Sequence, residues 1–153
     1  MRHSWIKPLL GLAVRLLVPR QRVGVALVAF NNRGQVLMLR HVFHPVTPWG
    51  LPGGWLGRNE NPADCALREL AEETGLHAEL GPVVYLTHEP VPPHLGIVFR
   101  GRIADASKLT LNSEILEAGW FELTDLPGPL LPFTHKAIAA AAESIALPAR
   151  EGV

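Results

Sequence analysis

A glycine turn directly before a glutamate-rich helix, between residues 54 and 76, constrains this chain more than any other feature. Asn61 is a good N-cap, Pro62 suits the first helical position, and Gly75 favours a left-handed C-cap. We therefore expect a helix from about Pro62 to Thr74. Small and apolar residues recur along it at steps of three and four and predict one buried stripe, formed by Ala63, Ala66, Leu67, Leu70 and Thr74.

Three glutamates of this helix, Glu69, Glu72 and Glu73, share an arc of about 100° on the side away from the stripe. Carboxylates so close together repel one another unless a cation lies between them. Ligands that are all oxygen suit hard cations such as Mg²⁺ or Mn²⁺ better than zinc. A solvated acidic face would explain Glu-x-x-Glu-Glu alone, but the complete run with its glycine turn favours a metal site.

The run from Gly54 to Leu76 resembles the motif of the Nudix hydrolases, in which glycine, glutamate and arginine stand at fixed spacings. Every fixed position is matched, by Gly54, Glu60, Arg68, Glu69, Leu70, Glu72, Glu73, Gly75 and Leu76. The segment 49–54 also resembles the strand and turn that lead into this motif, and 119–127 resembles a later strand with the short turn that follows it. The likeness therefore covers about residues 22–145. It implies a Nudix-type α/β fold, an α/β/α sandwich with a mixed β-sheet, which is also what helices packed on both faces of a sheet would form.

The resemblance also implies roles for individual residues. Arg68 would grip Glu60 and hold the loop against the helix, a structural task that suits a planar guanidinium. An additional glutamate before the late tryptophan acts in some members as a base or extra ligand; Glu114 is the first candidate and Glu117 the second, although both could be exposed loop acids. The implied metal ligands are the backbone carbonyl of Gly54 and the carboxylates of Glu69, Glu72 and Glu73. The implied catalytic residues are Glu69, Glu72 and Glu114.

The reaction that the resemblance implies is the metal-dependent hydrolysis of a diphosphate bond in a nucleoside diphosphate linked to another group. Either Glu72 or Glu114 could be the general base, because a carboxylate near a divalent cation stays ionised at neutral pH. A nucleotide-binding module that has lost hydrolysis is the alternative, although none of the glutamates of the motif is missing. An isomerase on the same scaffold would need a catalytic cysteine, and Cys65 inside the helix does not fit that role; we interpret it as an inert thiol.

Substrate contacts outside the motif are weakly indicated. The best-placed cations are Arg40, which ends an apolar strand, and Arg58, which lies in the glycine loop. Trp49 and Tyr85 could stack on a base, although aromatic residues of this kind more often lie in a core. Four histidines near predicted strand ends could touch phosphate, but structural roles are the better default: His41, His44, His88 and His94.

The composition is that of one compact domain. The 153 residues are 48% hydrophobic and 18% charged, which excludes disorder, and a single cysteine excludes a disulfide framework and suits the cytoplasm. A formal net charge of zero argues against general nucleic-acid binding, so we expect a small nucleotide-type substrate. Eight of the fourteen lysines and arginines nevertheless precede Glu60, the first acidic residue in the chain.

We divide the chain into an N-terminal extension (1–20), a Nudix domain (21–147) and a tail (148–153). The apolar segment 5–19 is too short to span a bilayer and lacks a clear cleavage site for secretion. It predicts an amphipathic helix that packs on the domain or on a second copy; weak attachment to an anionic membrane is the less favoured alternative. In the domain, the patterns predict strands at 23–30, 35–41, 82–89, 94–103 and 118–123 and a closing helix at 133–145.

Overall fold

The computed structural model describes residues 6–18 and 20–144. The predicted C-terminal tail (148–153) and the last predicted helical residue, Ile145, lie outside these ranges. In chain order the elements are α1 (Ile6–Leu17), β1 (Arg22–Phe30), β2 (Val36–His41), β3 (Trp49–Gly50), β4 (Gly53–Trp55), α2 (Pro62–Thr74), β5 (Glu79–Pro90), β6 (Pro93–Arg102), β7 (Ile115–Phe121) and α3 (Pro132–Glu143).

The strands form one mixed sheet with the path β3-β2-β1-β6-β5, while β4 pairs with β1 and β7 pairs with β2. Strand β1 runs parallel to β6 and antiparallel to β2 and β4. It is central because its sequence is almost continuously apolar, as expected for a strand that is covered on both faces. The predicted α/β fold with a mixed sheet is therefore confirmed.

Two apolar clusters lie on opposite faces of the sheet. Leu27 of β1 belongs to the cluster that contains Leu70 of α2, whereas the next residue, Val28, belongs to the cluster that contains Ile138 of α3. Successive side chains of a strand point to opposite faces, so α2 and α3 cover the two sides of the sheet. We call these sides the α2 face and the α3 face.

The predicted elements agree with the structure to within a few residues, and helix α2 has the expected bounds. The segment 49–54, where the likeness to the Nudix family implied a strand and a turn, contains the short strand β3 and most of the short strand β4. The buried stripe of α2 also differs from the prediction. Leu67 is only partly buried, whereas Cys65 and Glu73 are fully buried. The predicted stripe was therefore too narrow, because the sheet also covers part of the glutamate side.

In helix α1, the side chains of Leu10, Leu12, Val14, Leu16 and Leu17 are exposed, so they do not pack on the described part of the domain, which was one of the two expected arrangements. The other, packing on a second copy, stays a prediction. Within the described residues, no helix is both long and apolar enough to cross a membrane.

Candidate active site

Capping fixes the position of helix α2 relative to the glycine turn. The Asn61 side chain accepts a hydrogen bond from the Ala63 amide at 2.9 Å, and Pro62 occupies the first turn. At the other end Gly75 adopts a left-handed conformation with φ of 67°, and its amide donates to the Ala71 carbonyl. These two caps determine where along the sheet each glutamate of the helix lies.

Gly53 and Gly54, in strand β4, allow the backbone to lie very close to strand β1 and to helix α2. A Cβ on Gly53 would collide with the carbonyl of Val25 in β1, and a Cβ on Gly54 would collide with the carboxylate of Glu69. Only glycine allows so close an approach of backbone to a neighbouring group. The predicted ligands Gly54 and Glu69 are thus in direct proximity.

Glu73 is the most buried acid of the site, with 5% of its surface exposed. The Gly53 amide donates to Glu73 Oε2 at 3.0 Å. Burial first, and then the negative charges of Glu69, Glu114 and Glu72, raise the pKa of Glu73 to about 8 against the opposing effect of that hydrogen bond. A cation placed among these carboxylates would remove both the repulsion and the cost of burial.

Arg68 donates hydrogen bonds to three glutamates, Glu60, Glu69 and Glu72. Its Nε and Nη2 donate to the two oxygens of Glu60 at 2.7 and 3.1 Å, the bidentate arrangement expected of a guanidinium and a carboxylate. Its Nη1 donates to Glu69 at 2.8 Å and to Glu72 at 3.1 Å. Glu60 also accepts from the Gly57 amide at 2.7 Å, and the hydrogen bonds from Arg68 and Gly57 lower the pKa of Glu60 to about 2. The loop and the helix are therefore joined through Arg68 and Glu60.

The predicted metal ligands are close together but are not arranged as a finished metal site. In the part of the chain that the structure describes, no three Asp, Glu, His or Cys side chains converge at metal-binding distances. The reason is visible in the contacts of Arg68, whose guanidinium occupies oxygens of both Glu69 and Glu72. The donor set itself fits a hard divalent cation, because the side chains that supply it are carboxylates and the remaining expected ligand is a backbone carbonyl.

The two candidates for the additional glutamate have different surroundings. Glu114 lies in the exposed loop before β7, and its charge contributes to the raised pKa of Glu73. Glu117 lies within β7, opposite Arg40 in the register of β2 and β7, and its carboxylate is 3.7 Å from the Arg40 guanidinium. Glu114 is therefore the one that faces the acidic site.

The four weakly predicted substrate contacts do not converge on the glutamates. Trp49 and Tyr85 pack in the cluster on the α3 face, against Phe121 and Phe133 respectively. Arg40 follows Met38 at the two-residue step of a strand, which places it on the α3 face as well. Arg58 lines a separate open pocket of about 590 Å³. That pocket is also lined by Gln21, Arg22, Val23, Trp55, Leu56 and Gly57.

His41 is a neighbour of the site that the sequence did not single out from the other histidines. It ends β2 on the α2 face, and its Nδ1 lies 3.9 Å from Glu73 Oε1. Burial, followed by the proximity of His44, lowers the pKa of His41, so the contact is between Glu73 and a neutral imidazole and is not an ion pair. The two-residue step from Leu37 and Leu39 was the available signal for its face.

Cys65 is buried in helix α2 and contacts the glycine loop. Its Sγ donates to the Trp55 carbonyl at 3.7 Å and accepts from Arg68 Nη2 at 3.5 Å. Burial and the nearby Glu60 charge raise the pKa of the Cys65 thiol to about 11, so it stays protonated at neutral pH. These contacts support the interpretation of Cys65 as an inert thiol.

The fold and the glutamates of helix α2 can now be set beside known protein families. Residues 20–141 match the NUDIX domain, and the chain belongs to the Nudix family. It is a Nudix hydrolase, an enzyme that acts on pyrophosphate bonds, and such enzymes generally need a divalent metal.

Particular proteins resemble the chain to different extents. It is 29% identical to an RNA pyrophosphohydrolase of Roseobacter denitrificans over 142 residues, which cover 79% of this chain and 88% of that protein. It is 28% identical to the NAD-capped RNA hydrolase NudC of Vibrio atlanticus, over 66% of this chain and 38% of that protein. The solved structure of an ADP-ribose pyrophosphatase from Streptococcus suis matches with a TM-score of 0.72 and 24% identity, covering 86% of this chain and 97% of that one.

Proposed function

We propose that this enzyme hydrolyses the diphosphate bond of a nucleoside diphosphate linked to another group, with Mg²⁺ or Mn²⁺ held on helix α2. The ligands would be the backbone carbonyl of Gly54 and the carboxylates of Glu69, Glu72 and Glu73. The environment of Glu73 carries this proposal. A buried carboxyl group among three other carboxylates is unfavourable in the metal-free protein and becomes favourable when a divalent cation neutralises the cluster.

The chain's own residues would then divide the work of the reaction. A divalent cation, when bound, offsets the negative charge of the phosphoryl oxygens. Glu72 or Glu114 would take a proton from the attacking water as the general base. Arg68 and Glu60 would keep the glycine loop in place, so that Gly54 stays close to the Glu69 carboxylate. For a metal to bind, Arg68 would have to break its hydrogen bonds to Glu69 and Glu72, while its two hydrogen bonds to Glu60 could remain.

A free nucleotide derivative is the substrate class that the neutral net charge favours, such as a nucleoside triphosphate or a nucleotide sugar. A second candidate is the 5′ end of RNA. The likeness to an RNA pyrophosphohydrolase over most of both chains supports it, and so does the partial likeness to an NAD-capped RNA hydrolase. The two classes share the diphosphate group that the metal would contact. A homodimer and a cytoplasmic location stay predictions.

The first test is release of phosphate from a panel of free nucleotides, nucleotide sugars, dinucleotides and 5′-triphosphorylated or capped RNA, with Mg²⁺ or Mn²⁺ and with EDTA. Glu72→Gln keeps the shape of the side chain but removes its charge, and we expect a loss of kcat of about 100-fold or more. The matched control is Glu143→Gln on the exposed end of α3, which should hydrolyse normally. Undiminished turnover in Glu72→Gln, or hydrolysis that EDTA does not affect, would contradict the proposed site.

The base is identified by comparing Glu114→Gln with Glu117→Gln. We expect the first to lose kcat and the second to keep it, because Glu114 acts on Glu73 whereas Glu117 pairs with Arg40. Equal, small effects of both substitutions would leave Glu72 as the base.

A further inference from the structure

Helix α1 presents an apolar surface that is not covered by the rest of the described chain. The side chains of Leu10, Leu12, Val14, Leu16 and Leu17 are between 53 and 79% exposed. Leaving five such side chains in water forfeits the free energy that their burial would provide, so an exposed cluster of this kind marks a contact surface.

The apolar surface of α1 is broad. At about 100° per residue, the positions of these five residues span an arc of about 200° around the helix. By sequence position, Lys7, Gly11 and Arg15 fall in the remaining arc. A helix that pairs with one other helix needs only a narrow apolar seam, whereas a helix lying in a membrane interface immerses a wide apolar face and keeps a basic strip towards the headgroups.

The charge around α1 has a single sign. Five of the first 22 residues are lysine or arginine, and no acidic residue occurs before Glu60. Arg20 and Arg22, which follow the helix, are exposed. Basic residues next to an apolar helix favour a negatively charged surface, since each is attracted to anionic headgroups.

The size of the helix argues against a second copy of this chain as the occupant. Twelve residues form a helix about 18 Å long. A contact along one side of so short a helix would bury much less than the roughly 800 Å² per partner that is typical of a stable interface. Pairing of two α1 helices would also bring their basic N-terminal segments together, and neither segment contains an acidic residue that could offset the repulsion.

From this exposure, breadth and charge, we propose that helix α1 and the arginines that follow it bind the surface of a membrane containing anionic lipids. The helix would lie parallel to the surface, with Leu12 and Leu16 among the immersed residues and Arg20 and Arg22 at the headgroups. The catalytic domain would then work at the membrane surface and not in free solution.

Flotation of the full chain with phosphatidylcholine vesicles, with and without phosphatidylglycerol, tests the proposal. We expect binding to the mixed vesicles that weakens as salt is added. The double variant Leu12→Gln/Leu16→Gln should bind at least about tenfold more weakly, and so should Arg20→Gln/Arg22→Gln. The control Leu86→Gln/Val91→Gln, which alters two exposed apolar residues elsewhere, should bind like the unmodified chain. A thermal unfolding transition like that of the unmodified chain would show that each variant is folded.

Two results would overturn the proposal. One is failure of the unmodified chain to float with the mixed vesicles. The other is equal binding by the unmodified chain and by Leu12→Gln/Leu16→Gln. If the unmodified chain does not bind vesicles but sediments as a dimer that this double variant abolishes, the occupant of the α1 surface is a second copy of the chain.

Discussion

At the scale of single residues, the site depends on the absence of a side chain at position 54. Gly54 lies so close to the Glu69 carboxylate that a single added carbon collides with it. The spacing of the motif indicated Gly54 and Glu69 separately, but their proximity follows from the packing of α2 beside β4, the strand that contains Gly54, and has no signature in either residue.

Gly54→Ala should therefore displace the Glu69 carboxylate and reduce kcat by about tenfold or more while the fold persists, because misplacing a reacting group by about 1 Å is costly. Hydrolysis and thermal unfolding are measured together for the variant. Gly128→Ala is the control, since a Cβ at Gly128 meets nothing within 4 Å. Full activity in Gly54→Ala would show that the Glu69 carboxylate does not need its present position.

The burial of Glu73 is a feature of the site that the sequence did not predict. At about 100° per residue Glu73 lies only about 20° from Ala66, at the edge of the apolar stripe, although we grouped it with Glu69 and Glu72 on the acidic side of the helix. In the fold, the Gly53 amide and the His41 ring approach it from two different strands. These neighbours are 20 and 32 residues away along the chain, so no local pattern could reveal them.

At the scale of elements, helix α2 was predictable because its signals are local. Its N-cap, first-turn proline and C-terminal glycine each act within a few residues, and all three agree. The segment 49–54 has no periodicity of its own, and the strand expected there came only from its likeness to the family. Its division into β3 and β4 follows from pairing with β2 and β1.

Removal of the α2 cap has a defined cost. Asn61→Ala deprives the Ala63 amide of its acceptor and should lower the free energy of unfolding by about 1 kcal/mol. Denaturation in urea measures this change. Asn61→Asp keeps an acceptor oxygen at the same place and should retain nearly all of the stability. A loss of equal size in both variants would indicate that the cap hydrogen bond is not the stabilising contact.

At the scale of the whole molecule, the site and the stability of the fold are linked through Glu73. Its pKa is raised from the usual 4.5 to about 8, so between these values the folded protein holds a proton that the unfolded chain has released. The metal-free protein should accordingly lose stability as the pH rises from about 4.5 to about 8, by at most about 1.4 kcal/mol per pH unit from this group.

A divalent cation binds the ionised carboxylate, so its stabilising effect should increase over the same pH range. Thermal unfolding with EDTA and with Mg²⁺, at several pH values, measures both trends. Glu73→Gln cannot release the proton and should lose the decline seen with EDTA. Identical pH dependence in this variant and in the unmodified chain would contradict the assignment to Glu73.

The parallel pairing of β1 with β6 also bears on how the chain is made. Arg22 pairs with His94 and Phe30 with Arg102, so the central strand acquires this neighbour only after residues 94–102 have been synthesised. Before that point, β1 can pair only with β2 and β4, and its apolar residues are incompletely covered. Contacts between such distant segments slow folding. A nascent chain of this protein should therefore rely on chaperones longer than one whose central strands are neighbours in sequence.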